Sequence, residues 1–282
     1  MKIVKSLFLV AVFICFVSCA SDNDEVSEND PVAGLNLVTS FEANGHTVEL
    51  YSENSGFTTG YNEVSIRIKD IASDRYFSDS EIAWTPVMHM TDREHSCPKS
   101  GVTLTENNTV SKGFLIFQMT GNAEEYWSLI LNYKIGGTTY EAEGYLEVNP
   151  SPGGKQKITV FKGSDDTRYI LAMIGPVEPE VKINGFVAGL YKMEDMMNFS
   201  AVENYRISVD PRMPGMDNHG SPNNEDLTYD VASGIYRGKL SFTMTGYWKI
   251  NLRLLNDKGE VIKGEDVTEE TPASSLYFEV EF

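Results

Sequence analysis

The sequence predicts an all-β protein: two tandem β-sandwich domains made by an internal duplication, behind a signal peptide and a disordered tether. Three observations predict it: a segment repeated at a constant offset, apolar residues alternating with period two, and an N-terminus built for export. The repeat is the strongest. Gly113-Phe-Leu-Ile-Phe-Gln-Met-Thr-Gly121 aligns with Gly238-Lys-Leu-Ser-Phe-Thr-Met-Thr-Gly246, with six of nine positions identical at an offset of 125. At that offset Pro86-Val-Met88 falls on Pro211-Arg-Met213, and Ile82-Ala-Trp84 on Ile207-Ser-Val209. Downstream, an aromatic pair opens an alternating stretch in each half, Tyr126-Trp127-Ser-Leu-Ile-Leu and Tyr247-Trp248-Lys-Ile-Asn-Leu. Agreement at one shared offset marks a duplication, with copy one over 36–149 and copy two over 157–282. The segment 150–156 between them, rich in Pro and Gly, has the composition of a linker.

Within each copy the apolar pattern has the period of a half-buried strand, as in Val64-Ser-Ile-Arg-Ile, Tyr205-Arg-Ile-Ser-Val and Ile250-Asn-Leu-Arg-Leu. Gly and Asn punctuate these short runs, and no helical window interrupts them. About 115 residues per copy suits about seven strands, an immunoglobulin-like sandwich. A Cys…Trp…Cys spacing is missing, so neither copy is a true immunoglobulin domain.

Residues 1–18 read as a secretory signal: Lys2 and Lys5 precede an uncharged apolar run from Leu7 to Val17, and small Ser18 stands before Cys19. The run of about 11 residues is too short to span a bilayer, which takes roughly 20. Phe16-Val17-Ser18-Cys19 resembles the lipobox of bacterial lipoproteins. The resemblance implies cleavage before Cys19 and lipidation of its thiol, with membrane lipid as the anchor partner. Several acyl chains anchor stably where one is marginal. Residues 19–35 open with Ala-Ser-Asp-Asn-Asp-Glu-Val-Ser-Glu-Asn-Asp-Pro, which has little to bury and predicts a disordered tether. The expected location is the cell envelope, as an outer-membrane lipoprotein on the periplasmic face or the cell surface.

Without Lys2 and Lys5 the basic residues fall from 23 to 21 against 41 acidic ones, a balance of −20. Such a surface attracts cations and repels nucleic acid, which is excluded as a partner. Enzyme signatures are missing: no Gly-x-Ser-x-Gly elbow, no His-Glu-x-x-His and no phosphate loop. The expectation is therefore a non-enzymatic protein. Cys15 leaves with the signal and Cys19 carries lipid, so Cys97 is the one thiol left in the folded part. An exported lone thiol is buried, paired between chains or used as a ligand.

The chemistry concentrates in the loop after the Ile82 and Ile207 strands. Copy one offers Met88, His89, Met90, His95 and Cys97; copy two offers Met213, Met216 and His219, and both loops follow the order Pro, Met, Met, His, Pro. Three of the four histidines lie here. Thioether, imidazole and thiolate are soft donors that favour Cu(I) over zinc. The same residues would serve as packing, since methionine fills irregular gaps. Met119 and Met244, on strands, read as core, and His46, in a Gly-rich stretch, reads as a surface histidine.

Copy two, from Gly185-Phe186 through Asp210-Pro-Arg-Met-Pro-Gly-Met-Asp-Asn-His219 to Gly234-Ile-Tyr-Arg-Gly-Lys-Leu-Ser-Phe-Thr-Met-Thr-Gly-Tyr-Trp-Lys-Ile, resembles YtkA-like and FixH-like domains. The likeness covers roughly 180–256, with a fainter echo in copy one. It implies an immunoglobulin-like sandwich and copper handling or oxidase assembly. Gly215 displaces the second methionine, His89 stands where copy two has Pro214, and no membrane helix of the FixH sort is present. Two functions follow. One is a membrane-anchored copper chaperone or buffer with a metal-delivery protein as partner; the other is a surface adhesion or scaffold module binding a protein or glycan. Exposure of Trp84, Trp127 or Trp248 would favour the second, though their alternation predicts at least two of them buried.

Overall fold

A computed structural model describes residues 30–282 of the chain. The signal peptide, Cys19 and the first part of the tether lie outside these residues. The folded body begins a few residues before position 36: Val32 is buried, and Asp30 pairs with Arg67 at 3.2 Å. Among the described residues there is no α-helix, only two short 3-10 turns, at Pro152–Gly154 and Pro214–Met216.

Copy one opens with a hairpin of β1 (Asn36–Ala43) and β2 (His46–Ser52). Asn44 and Gly45 form its two-residue turn, both at positive φ, the backbone that matches the twist of the strands. Strand β3 (Gly60–Asp70) extends that sheet, β4 (Glu81–His89) crosses to the second, and β5 (Ser111–Phe117) returns to pair with β3. Strands β6 (Tyr126–Ile135) and β7 (Thr138–Leu146) form a second hairpin across Gly136-Gly137. The two sheets, β1-β2-β3-β5 and β7-β6-β4, enclose one core, and the sandwich is close enough at its side for Phe41 to lie on Gly144, where a Cβ would fall on the ring. Inward positions come from alternate residues: Val64, Ile66 and Ile68 on β3, Trp127, Leu129, Leu131 and Tyr133 on β6.

Copy two repeats the plan with β8 (Ile158–Lys162), β9 (Arg168–Gly175), β10 (Ile183–Met193), β11 (Arg206–Met213), β12 (Glu225–Asp230), β13 (Ile235–Ser241), β14 (Tyr247–Leu255) and β15 (Leu276–Glu281). The duplication is written into the pairing register. Ile82 opposes Tyr133 and Pro86 opposes Leu129; in copy two Ile207 opposes Leu254 and Pro211 opposes Ile250. Two polar details recur. The Trp127 indole N–H donates to the Met119 carbonyl and that of Trp248 to the Met244 carbonyl, each at 3.0 Å. Buried Asn62 donates to the carbonyls of Thr58 and Gly60 and accepts from the Thr58 N–H, and buried Asn184 does the same with Glu180 and Lys182.

The copies differ most at one strand. In copy two β12 pairs with both β13 and β11 and joins the two sheets into one continuous path. In copy one the corresponding stretch is reduced to Thr103–Leu104, which pairs with β5 alone, and the sheets stay separate.

The copies are packed together. The outward residues Tyr61, Phe114 and Ile116 of copy one meet Ile170, Ala172, Tyr191 and Met193 of copy two. Strands apolar on both faces are buried on both faces. The expected linker is pinned: Lys155 pairs with Glu281, the Gln156 backbone N–H donates to Glu279, and the Gln156 side chain donates to the Tyr277 carbonyl.

Candidate functional site

Strand parity decides where the predicted donors go. Trp84, Pro86 and Met88 are alternate residues of β4 and all point inward, so Met88 is a core residue with no exposure, paired in register with Trp127. Met213 is its counterpart at the inward end of β11, buried in the other core with its methyl group near Gly246. Neither thioether meets solvent. Cys97 is 1 % exposed in the core of copy one, and burial pushes its thiol up from 9.0 to about 12, so it is neutral at physiological pH. Of the three fates open to a lone exported thiol, burial is the one realised.

The remaining loop residues have separate surroundings. His89 is engaged at both nitrogens, Nδ1 2.9 Å from Glu94 and Nε2 2.8 Å from the Ser128 hydroxyl. Met90 packs at the edge of the copy-one core. Met216 is half exposed, on the short turn after β11, and exposed His219 follows on a two-residue strand. The copy-two loop is tied to its own domain, where Asn218 donates to the Pro272 carbonyl at 3.0 Å. The copy-one loop instead leans on the neighbouring copy, through a 2.8 Å hydrogen bond from the Ser96 N–H to the Met196 carbonyl. In copy one Met88 and Cys97 thus face the core while His89 faces outward, and in copy two Met213 faces the core while Met216 and His219 are exposed, so the predicted donors of neither loop all lie on one side of the sheet. Among the described residues no group of three His, Cys, Asp or Glu side chains is placed to hold a metal.

His46 also departs from expectation. It starts β2 in phase with Val48 and Leu50 and is buried, with Nδ1 2.9 Å from the Tyr133 hydroxyl and its ring edge-on to Phe77 and Tyr140. All three tryptophans are buried, as alternation required for at least two of them.

What the outer surface offers is an aromatic row on the open face of the β7-β6-β4 sheet. Tyr145 is 57 % exposed and Tyr126 40 %, with ring centroids 6.1 Å apart, and Tyr126 stacks on His89 at 4.7 Å. Glu94 and Glu143 flank the row, the latter 3.8 Å from His89 Nε2. The row follows from parity, because outward Tyr126 faces His89 across the ladder while inward Trp127 faces Met88. The sequence signal was present in the Tyr126-Trp127 pair, of which only the second ring is needed inside.

A scan of family models finds no match to this chain, and no curated protein matches it. Among solved structures it is similar to the Escherichia coli adhesin FdeC, with a TM-score of 0.26 at 13 % identity over 86 % of this chain. The likeness spans 65 % of that solved chain, and a likeness this slight has no bearing on function.

Proposed function

We propose that the protein is a non-enzymatic adhesion or scaffold module, held at the cell envelope through lipidated Cys19, whose first sandwich presents a surface to neutral glycans. The observation that carries this reading is the exposed Tyr145–Tyr126–His89 row with Glu94 and Glu143 beside it. A pyranose ring has an apolar C–H face that stacks on an aromatic ring, and hydroxyls that donate to carboxylates. The formal charge of −18 favours uncharged sugars over anionic ones.

Each aromatic contact contributes about 0.5–1.5 kcal/mol beyond its buried area. Replacing Tyr126 and Tyr145 together by Ala is expected to weaken binding by about 1–3 kcal/mol, roughly 5- to 150-fold. A panel of neutral oligosaccharides, followed by calorimetry on the strongest, measures this. Equal binding by the double variant, or retention of no neutral glycan, would overturn the reading. The anchor is tested separately: Cys19→Ala is expected to leave the membrane fraction and lose its acyl mass.

A further inference from the structure

We infer that the cleft between the two copies is a binding site for a single soft monovalent metal ion, Cu(I) or Ag(I), held by His95 together with Met119, Met193 and Met196. These four line one cavity of about 260 Å³, with His95 and Met119 from copy one and Met193 and Met196 from copy two. The site uses one histidine of the predicted copy-one loop and none of its methionines. Met119 comes from the same copy, just past the end of β5, and Met193 and Met196 come from the strand end and turn that the docking of the copies brings opposite them.

The histidine is prepared for coordination. His95 Nδ1 lies 2.8 Å from the Ser96 carbonyl, which can only accept, so Nδ1 is the donor and the neutral tautomer this contact selects has its lone pair on Nε2. A hydrogen bond on the far nitrogen is how metal-binding imidazoles are oriented and fixed in one tautomer. Nε2 makes no hydrogen bond among the described residues, and the ring stands edge-on to Trp127 at 5.4 Å. Met119 is held against the same tryptophan, whose indole N–H binds its carbonyl, and Met196 is held by the Ser96 N–H. Gln118 also lines the cavity, and its Oε1 is buried with no hydrogen-bond partner. An orphaned acceptor of that kind is unfavourable unless a group in the cavity meets it.

The donor set selects the ion. Three thioethers and a neutral imidazole carry no charge and are soft, which suits Cu(I) and disfavours Zn(II), Ca(II) and Mg(II). Among the lining residues Arg168 alone bears a formal charge. Its repulsion is twice as large for a divalent ion as for a monovalent one at the same distance.

The test is an anaerobic titration of the full chain with Cu(I) against a chromophoric Cu(I) chelator. One equivalent is expected to bind. Met193→Leu with Met196→Leu, which conserves volume, is expected to lose affinity by at least about 10–100-fold, the scale on which even supporting groups matter. Met213→Leu with His219→Ala is expected to bind as the parent does. Independently, Ag(I) should shift the methyl resonances of Met119, Met193 and Met196 in methionine-labelled protein. The proposal is overturned if no Cu(I) is taken from the chelator, if the Met193/Met196 variant binds undiminished, or if the shifts fall on Met216.

Discussion

The two copies share a register, a tryptophan and a buried asparagine, yet they treat the loop after the β4 or β11 strand differently. In copy two the loop is followed by β12, which bridges β11 and β13 and closes the sheets into one path. In copy one that bridge is missing, and the segment that follows the loop carries Cys97 into the core and His95 to the boundary with the neighbour. Packing within the sandwich holds the ancestral pattern, while the loop is free to acquire a separate role once a partner surface stands against it.

The largest effects should come from what the copies have in common. Trp127→Ala and Trp248→Ala each empty the centre of one core and are expected to destabilise that copy by about 3–5 kcal/mol. Denaturant unfolding monitored separately in each copy would read the loss. Equal values would establish equivalence of the cores, and a markedly smaller value in copy one would show that its separate sheets relax around the gap.

Next come the asparagines. Asn62→Ala and Asn184→Ala each strand buried backbone groups, and the cost is expected at about 2–3 kcal/mol in either copy. Asn184 also donates to the Leu240 carbonyl at 3.3 Å, so the larger loss is expected in copy two, and a larger loss at Asn62 would break the parallel.

Cys97 distinguishes the copies through pH, because copy two has Pro222 at the equivalent offset. Its folded-state pKa is raised from 9.0 to about 12 by burial. The unfolded thiol therefore ionises first, the unfolded state binds fewer protons between pH 9 and 12, and stability falls as pH rises through that window. It is fully retained below pH 9. Cys97→Ala should flatten this alkaline loss in copy one and leave copy two unchanged, as followed by unfolding at a series of pH values. In the same protein, native Cys97 should resist alkylation at neutral pH.

The smallest effect belongs to the surface pair. Glu94→Gln removes the carboxylate partner of His89, and exposed ion pairs contribute about 0–1 kcal/mol. A thermal melt should move by no more than about 4 °C for that change, in keeping with an outer face that serves contact more than stability.

Much of this was legible in the residues, and the misreadings have a common physical source. Alternation gives the inward set correctly wherever it is carried to the last residue of a strand. Met88 continues the inward series from Trp84, as Met213 does from Ile207, and His46 begins the series of Val48 and Leu50. Treating those three as loop or surface residues ignored parity in favour of composition. Ile170-Leu-Ala172 and Phe114-Leu-Ile-Phe117 likewise announce burial on both faces, the mark of the packed interface. What could not be read is which residues of one copy meet which of the other. His95 and Met196 are far apart in sequence, and only the docking of one sheet on another places them at the same cavity.

The pinned connection at residues 150–156 changes what two copies mean to a ligand. A floppy joint would let each sandwich sample its own directions, and any target touching both would have to freeze that freedom at the moment of binding. Here the alignment is completed during folding, so a long target that touches both sandwiches faces a preorganised pair and loses less entropy on engagement. A target that reaches past the aromatic row of copy one thus meets the surface of copy two already set against it, without a joint to be ordered first.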